Sequence, residues 1–539
     1  MMKGKGFCSR RRFIGNVLVA GSVGTVAERL ANAAMQKPVE QNTNGPSCMK
    51  ALLFFDDWLL HRRDGLDRIW HQPTYVKDVF TDFFPGFLGY GGYLSVFRDE
   101  KVGRYVMYLA VYPPQADPGV FVVRLESDDP YNWPPPRFER QVTPAWKGFQ
   151  NVVTDQRGER FWPMHIQSLA GTPLAERGYV AAEWYVTEAF RTYKRSLIQQ
   201  RLVAAPRPST GEGSVLGFSQ DGLHFNVDRE HPWHYPGSDV PGGTFLWSDK
   251  AGVYVIFTRR VDLDRRIAYS TTTDFEHFSP ILTALQPDAR DPIGTELYEM
   301  PVRPYEDMYL GFLHVLSSDP LEKDYLKWAG REETQLAHSY NGINWIRPVR
   351  EPFMGVRDYG LQGGGMLMCM EMLRTPKDRL LFYTHSSYGE HAAYPVMQAA
   401  GRDMTGYVSP LLYELRLDGF CSLRTRSRDG VIETKTIIPQ AGDIRLNVRT
   451  TKHTGVRVQL LDGLTLEPLP GYTFRDAVEI SGDHLFAPVR WQAHDTISEW
   501  VGKPVRLEIQ MREAELFAIR MEYKSYYTTA GTPPLESLT

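Results

Sequence analysis

Short apolar runs alternate with polar turns through most of the chain, from about residue 51 to residue 415. The clearest runs are rich in β-branched and aromatic residues, and each follows a turn-forming group: 105–110, 252–257, 308–313 and 379–384. Runs of this length and composition, bounded by such turns, predict β-strands. The pattern therefore predicts a chain built mainly of short strands.

A polar turn that ends in an aromatic residue recurs after these strands. Its closing aromatics are Trp133, Phe225, Phe278 and Trp345, and a fifth unit would close at Phe420. The Asp-Gly and Asn-Gly pairs in these turns suit a backbone with positive φ. Five such units predict a five-bladed β-propeller over residues 50–420, and a pair of β-sandwiches is the alternative.

Near residue 430 the pattern changes to an alternation of apolar and polar positions, as in 444–448, 456–462 and 505–511. A period of two is typical of half-buried antiparallel strands. We therefore predict a C-terminal β-sandwich over residues 421–526, followed by a tail over 527–539. The predicted fold class is all-β, a five-bladed β-propeller followed by a β-sandwich.

Residues 1–34 have the composition of an export signal. The run Ser9-Arg10-Arg11-Arg12-Phe13-Ile14 precedes a mostly apolar stretch, and Ala31-Asn32-Ala33 offers a small-residue cleavage site. This order resembles the twin-arginine signal, and an ordinary secretory signal is the alternative. The expected location is the bacterial periplasm or the cell exterior. No later run reaches the ~20 apolar residues of a membrane-spanning helix, so no membrane partner is expected after signal removal.

The composition of the chain limits the classes of partner that it is expected to bind. Lys and Arg number 61 against 64 Asp and Glu, and this net charge of −3 argues against a nucleic-acid partner. An aromatic fraction of 12% suits sites for flat, polar ligands such as sugars. The chain contains neither Cys-x-x-Cys nor His-Glu-x-x-His, so we predict no metal and no other cofactor. The oligomeric state stays open.

An acid-rich segment between the third and fourth units supplies the main catalytic candidates, Asp291, Glu296 and Glu299. The innermost strand of each propeller blade lines the central funnel, and glycoside cleavage needs a pair of carboxyl groups there. Asp239 occupies the equivalent place one unit earlier. We assign Glu296 or Glu299 as general acid and Asp239 as base or nucleophile. The alternative is that these acids cap turns or are solvated.

Six further residues are candidates for substrate binding. The aromatic side chains would stack on sugar rings, the arginines would hold an anionic group, and His385 would serve a proton relay, a sugar hydroxyl or a metal. Asp82 is the acid of the corresponding stretch in the first unit. The six residues are Asp82, Trp247, Arg265, Tyr298, Arg303 and His385. A solvated hairpin face is the alternative for the arginines, and a plain loop is the alternative for His385.

Three segments carry a family resemblance: Leu53–Leu59, Asp291–Val302 and Leu415–Phe420. Through them the chain resembles the five-bladed glycoside hydrolases of families 32 and 43, and more narrowly the exported family 32-like proteins with a C-terminal sandwich. Arg290-Asp291-Pro292 is similar to the family-32 motif that holds a transition-state-stabilising carboxylate. Glu299-Met300-Pro301 is similar to the motif that holds the general acid. The family's Asn-Asp-Pro-Asn nucleophile motif is absent.

The sequence as a whole favours an exported glycoside hydrolase that cleaves a poly- or oligosaccharide with funnel carboxylates, so a carbohydrate is the expected partner. Two alternatives stay open. One is a carbohydrate-binding propeller without catalytic activity, and the other is a glycoside phosphorylase in which the arginines of 259–266 hold phosphate.

Overall fold

The computed structural model describes residues 49–114, 119–186, 212–233, 243–261, 264–318, 330–391, 393–426 and 428–526. The predicted signal peptide, the predicted tail and Asp239 lie outside these ranges. In the described part of the chain, strands dominate, and no helix is long and apolar enough to cross a membrane. The helical elements are a short α-helix, α1 (Tyr394–Ala399), and 3₁₀ turns at Ala145–Gly148, Ala175–Arg177 and Ser498–Trp500.

Four short strands come first: β1 (Lys50–Leu53), β2 (Leu60–Asp64), β3 (Leu66–Trp70) and β4 (Thr74–Asp78). Blade 1 then comprises β5 (Gly89–Asp99), β6 (Arg104–Tyr112) and β7 (Phe121–Ser127). Blade 2 comprises β8 (Thr154–Asp155), β9 (His165–Ser168), β10 (Tyr179–Val186), β11 (Glu212–Ser219) and β12 (His224–Val227). Blade 3 comprises β13 (Thr244–Ser248), β14 (Val253–Val261), β15 (Arg265–Thr272) and β16 (Leu282–Leu285).

Blade 4 comprises β17 (Thr295–Glu299), β18 (Val302–Tyr305), β19 (Met308–Ser318) and β20 (Gly330–Ser339). Blade 5 comprises β21 (Met366–Arg374), β22 (Arg379–Ser387) and β23 (Leu411–Arg416), and the early strand β4 completes it by pairing with β23. A strand from before blade 1 therefore closes the ring. The predicted fold class is confirmed.

The innermost strands of the blades surround a central channel. Strand β5 contacts both β9 and β21, and β9 contacts β13. We call the end of the channel at which these strands begin the funnel. Side chains from different blades can meet there, which is how residues distant in sequence form one site.

The remaining strands belong to the C-terminal β-sandwich: β24 (Cys421–Thr425), β25 (Asp429–Thr434), β26 (Ile437–Thr450), β27 (Val456–Asp462), β28 (Asp483–Pro488), β29 (Val505–Arg512) and β30 (Ala514–Ser525). Strands β1, β2 and β3 join the same ten-stranded network. The sequence pattern predicts these three strands as part of the propeller, whereas β1 pairs with β30 and β3 pairs with β24. Strand periodicity identifies a buried face but not the partner strand, and here the partners lie at the other end of the chain.

The turn predicted to close each unit recurs in the structure with the same hydrogen bonds. In blade 2 the Ser219 hydroxyl accepts a bond from the Gly222 N–H at 2.9 Å. In blade 4 the Ser339 hydroxyl accepts one from the Gly342 N–H at 2.9 Å. Side chains of this kind reproduce a backbone turn, which explains why the motif repeats from blade to blade.

The two domains share a buried junction. One apolar cluster includes Phe312 and Phe382 of blades 4 and 5 together with Leu446 and Ile519 of the sandwich. At its edge the buried carboxylate of Asp418 accepts bonds from the Arg520 guanidinium, at 2.6 and 2.9 Å, and from the Tyr305 hydroxyl at 2.7 Å. Arg520 lies in the sandwich and Tyr305 in blade 4, so Asp418 ties the domains together.

Replacing Asp418 with Ala should lower the free energy of unfolding by about 3–5 kcal/mol, because the mutation leaves the buried Arg520 charge without its main partner. Denaturant titration measures this change. Asp67→Ala is the matched control, because its pair with Arg426 is exposed and should contribute about 0–1 kcal/mol. Equal midpoints for the two variants would contradict the assigned role of Asp418.

Candidate active site

A β-bulge brings two candidate acids to the same face of blade 4. In β17, Glu296 pairs with Leu316 and Glu299 pairs with His314, with the register shift between Leu297 and Glu299. Residues three apart on a regular strand point to opposite faces, but Leu316 and His314 are two apart and share a face. The extra residue therefore turns Glu296 and Glu299 to the same side.

The buried Glu299 carboxylate is held by two blades. Its Oε1 lies 2.7 Å from Nε2 of His165 in blade 2, and its Oε2 lies 3.7 Å from Nδ1 of His314 in its own blade. Gly243 of blade 3 passes so close that a Cβ atom there would lie 2.6 Å from Glu299 Oε1. The described residues leave Oε2 without a hydrogen-bond partner.

Burial by itself would raise the pKa of the Glu299 carboxyl. The charge and hydrogen bond of His165, with further contributions from His314 and Arg259, overcome this effect and hold the pKa below its usual value. Glu299 is therefore ionised at neutral pH.

Glu332 is a second buried carboxyl group on the same face. It lies opposite Leu316 on β20, so Glu296, Leu316 and Glu332 form one cross-strand row. Neither of its oxygens has a hydrogen-bond partner among the described residues. Burial raises the pKa of Glu332 to about 8, with Arg259 and Arg265 opposing the rise and Glu299 adding to it. Glu332 is therefore protonated at neutral pH.

Glu332 is not among the site residues predicted from the sequence. It stands in the run Gly330-Arg331-Glu332-Glu333, which reads as a charged, solvated strand end. The only sequence signal was its distance from the turn at Ser339, which fixes it near the funnel end of the blade. His165 was also missed, because one histidine in Trp162-Pro163-Met164-His165 carries no motif.

Two arginines of blade 3 lie against Tyr298. The guanidinium carbon of Arg259 is 4.3 Å from the centre of the Tyr298 ring, and that of Arg265 is 5.5 Å away. Arg265 also donates to Glu296 at 3.0 Å. Burial and the neighbouring charge of Arg259 lower the pKa of Arg265. The predicted residues Arg265, Glu296 and Tyr298 thus form one contiguous cluster.

His385 lies at the funnel end of blade 5. The Gly92 N–H donates to its Nδ1 at 2.7 Å, so Nδ1 carries no proton. Burial, reinforced by the charge of His314, lowers the pKa of His385 to about 4. Nearby, Nε2 of His391 lies 3.1 Å from the Tyr298 hydroxyl. His385 is therefore a neutral imidazole, suited to a hydroxyl group and not to an anion.

The other predicted residues lie elsewhere. Both oxygens of Asp291 bond the Arg347 guanidinium at 2.7 Å, and this pair accounts for Asp291 structurally. The Trp247 indole donates to Asp249 in a surface turn at 2.6 Å. Asp82 is exposed on a loop. These positions separate Asp291, Trp247 and Asp82 from the cluster around Glu299.

A cavity of about 540 Å³ occupies the channel at the end opposite the funnel. We call it the lower cavity. Its walls come from the later residues of β5, β18 and β21, and His165 and Gly243 also line it. Arg303, predicted to bind substrate, lies here and is ion-paired with Glu371.

In the described part of the chain, no group of three or more His, Cys, Asp or Glu side chains is arranged to hold a metal ion. The described side chains of the site include the buried glutamates Glu299 and Glu332 together with arginines, histidines and tyrosines.

Comparisons with known proteins give a likeness in structure only. No family model matches, and no curated protein matches the sequence. Similar solved structures include a thermostable family-43 glycoside hydrolase, at 15% identity over 64% of this chain and 95% of that chain, with a TM-score of 0.39. A GH32 β-fructofuranosidase from Bombyx mori is 11% identical over 81% of this chain and 94% of that chain, with a TM-score of 0.38. An endo-arabinase from Bacteroides thetaiotaomicron is 11% identical over 64% of this chain and 97% of that chain, with a TM-score of 0.36.

Replacing Gly243 with Ala should displace the Glu299 carboxylate, because the new methyl group would lie 2.6 Å from Oε1 and 3.5 Å from Nε2 of His165. A catalytic group misplaced by about 1 Å typically lowers turnover by about 10–100-fold, so kcat should fall by that amount in any reaction in which Glu299 takes part. Gly355→Ala is the control, since the nearest heavy atom there is 3.4 Å from the new Cβ. An unchanged kcat in Gly243→Ala would contradict the expectation that turnover depends on the position of the Glu299 carboxylate.

Proposed function

We propose that this protein is a glycoside hydrolase whose acid is Glu332 and whose base or nucleophile is Glu299. The observation that carries the proposal is that two buried carboxyl groups lie on the same face of blade 4 in different surroundings. Glu299 is hydrogen-bonded to His165, whereas neither oxygen of Glu332 has a hydrogen-bond partner among the described residues, and burial raises the pKa of Glu332 to about 8. Pairs of titratable groups with pKa values pushed apart are how glycosidases divide acid and base roles. We further propose that residues 1–34 direct its export.

In this mechanism protonated Glu332 donates to the glycosidic oxygen as the bond breaks. Glu299, held ionised by His165, either attacks the anomeric carbon or activates a water molecule. Which of the two occurs depends on the distance between the two carboxyl groups, because a longer distance leaves room for the water molecule. Tyr298 and His385 supply an aromatic face and a hydroxyl-binding nitrogen for the sugar ring.

A panel of aryl glycosides and polysaccharides tests the proposal. Wild type should cleave at least one member. Glu299→Gln should cleave none of them, and Glu332→Gln should fail on the polysaccharides, whose leaving groups need a proton. The matched control is Glu414→Gln, which removes an ion-paired glutamate from the strand β23 and should retain activity. Binding of a polysaccharide without cleavage would instead identify a carbohydrate-binding propeller.

A glycoside phosphorylase is a second candidate, favoured by the pair of buried arginines, Arg259 and Arg265, around Tyr298. In that reaction phosphate would replace water as the attacking group. Cleavage that requires inorganic phosphate and releases a sugar phosphate would establish it. Cleavage that is unaffected by phosphate would exclude it.

A further inference from the structure

A second cavity lies where blade 4 meets the sandwich, and we call it the junction pocket. Its volume is about 210 Å³. One wall is formed by residues 70–72, at the end of the strand β3 that pairs with β24 of the sandwich. The other wall is formed by Leu336 of β20 and by residues of the segment 349–353 that follows blade 4. The Gln72 amide nitrogen donates to the Pro352 carbonyl oxygen at 2.8 Å and so links the two walls.

The junction pocket is separate from the proposed active site. Leu336 lies on the same strand as Glu332, four residues further from the funnel. A β-strand rises about 3.3 Å per residue, so Leu336 lies about 13 Å along β20 from Glu332. A ligand in the junction pocket would therefore occupy a different site from a sugar at Glu299 and Glu332.

Polar groups without partners line this pocket. The Trp70 indole N–H and the Glu351 carboxylate have neither a hydrogen bond nor an ion pair among the described residues. Gln72 uses its amide nitrogen on Pro352, and its amide oxygen has no partner among the same residues. Trp70 is half-buried, whereas Gln72 and Glu351 are exposed. The pocket thus offers a ligand one hydrogen-bond donor and at least two acceptors.

The rest of the lining is apolar. Leu336 and Phe353 are buried, and Val349 and Pro352 are half-buried. Trp70 packs edge-on against Phe55, at 5.5 Å between ring centres, which fixes the indole in place. The pocket therefore combines a rigid aromatic ring and aliphatic surface with the polar groups.

This combination selects among classes of ligand. An anion would be repelled by Glu351, and a small cation would use Glu351 alone. A purely apolar ring would leave the indole and amide groups without hydrogen bonds, which is costly for groups that lose contact with water. A neutral sugar has hydroxyl groups that both donate and accept, and C–H faces that pack on apolar side chains. The volume is below the roughly 300–1,000 Å³ of sites for drug-sized ligands, so it suits one ring.

We propose that the junction pocket binds one ring of a neutral sugar and is a second carbohydrate site outside the funnel. Glu351 and Gln72 accept hydrogen bonds from its hydroxyl groups, the Trp70 indole donates one, and the apolar walls cover its C–H face. A polysaccharide can then be held at a point remote from Glu299 and Glu332. This binding does not depend on the proposed cleavage reaction.

Fluorine NMR of protein labelled with 5-fluorotryptophan tests the proposal at the pocket itself. The Trp70 resonance is assigned by its absence in Trp70→Phe. At least one of the methyl glycosides of glucose, galactose, mannose, xylose and arabinose should shift this resonance in a saturable manner. Val349→Phe places a larger side chain in the pocket wall and should abolish the shift.

Glu351→Ala provides a second variant, because it changes an exposed side chain and should fold even if Val349→Phe does not. It removes a charged hydrogen-bond acceptor and should weaken binding by about 10-fold or more. Glu467→Ala is the matched control, since it removes an exposed glutamate from the turn after β27 and should leave the affinity unchanged.

The proposal would be overturned if no glycoside shifts the Trp70 resonance, or if wild type binds no more tightly than folded Val349→Phe or Glu351→Ala. A shift caused by ethylammonium but by no glycoside would also overturn it and identify a cation site. Absence of hydrolysis in wild type would defeat the proposed function, while the Trp70 measurement would still decide whether the pocket binds a sugar.

Discussion

Glu299→Gln should lower kcat by about 10³-fold or more on every substrate that the wild-type protein cleaves. The amide keeps the shape of the side chain but can neither attack an anomeric carbon nor take a proton from water. Positioned acid or base groups contribute about 10²–10⁴-fold, and the loss of an ionised base belongs at the upper end of this range. The measurement is steady-state hydrolysis of an aryl glycoside and of a polysaccharide.

The loss should appear in kcat with little change in KM, because the sugar-binding groups stay in place. A melting temperature close to that of wild type shows that the variant is folded, and Glu414→Gln again serves as the matched control. Full activity in folded Glu299→Gln would remove Glu299 from the mechanism and leave its pair with His165 as a structural contact.

Glu332→Gln should lower the rate by about 10²–10⁴-fold on unactivated sugars, the contribution expected of a general acid. A glycoside with a strongly acidic phenol as leaving group needs no proton, so its cleavage should fall far less. This dependence on the leaving group distinguishes the general acid from the base or nucleophile. Glu299→Gln should instead lower the rate of cleavage of activated and unactivated substrates alike.

The dependence of wild-type activity on pH provides a second test of Glu332 as the general acid. A general acid works only while protonated, and the pKa of Glu332 is about 8, so wild-type activity should fall as pH rises through that value. The ionised form of Glu299 has the opposite requirement, and activity should fall at acidic pH, below the usual pKa of a glutamate. Equal losses on activated and unactivated substrates in Glu332→Gln would contradict its role as acid.

Much of the fold could be predicted from local patterns. The predicted runs 105–110, 308–313 and 379–384 lie within second or third strands of their blades, and the run 252–257 does so except for its first residue, which belongs to the preceding turn. Buried apolar runs and tight turns leave a clear signal there. The placement of β1 with β30 could not be predicted, because an apolar strand fits any sheet that covers it. Pairing between the two ends of a chain is a tertiary property.

The part of the site that could be predicted from the sequence is the part whose residues lie in one continuous segment. Glu296, Tyr298 and Glu299 lie together because they share strand β17, and the acid-rich sequence marked that strand. Asp291 belonged to the same segment, but its bond to Arg347 depends on a loop from further along the chain. Glu332 and His165 owe their chemistry to burial and to partners on other strands or blades, and neither property has a local sequence signature.

The protonation state of Glu332 tests the central claim most directly. Infrared difference spectra of wild type minus Glu332→Gln, recorded across neutral and alkaline pH, isolate the carbonyl band of a protonated carboxylic acid. The proposed acid–base pair predicts such a band at neutral pH, which disappears with a midpoint near 8. A Glu332 that is already ionised at neutral pH would contradict the assignment of the acid and, with it, the proposed mechanism.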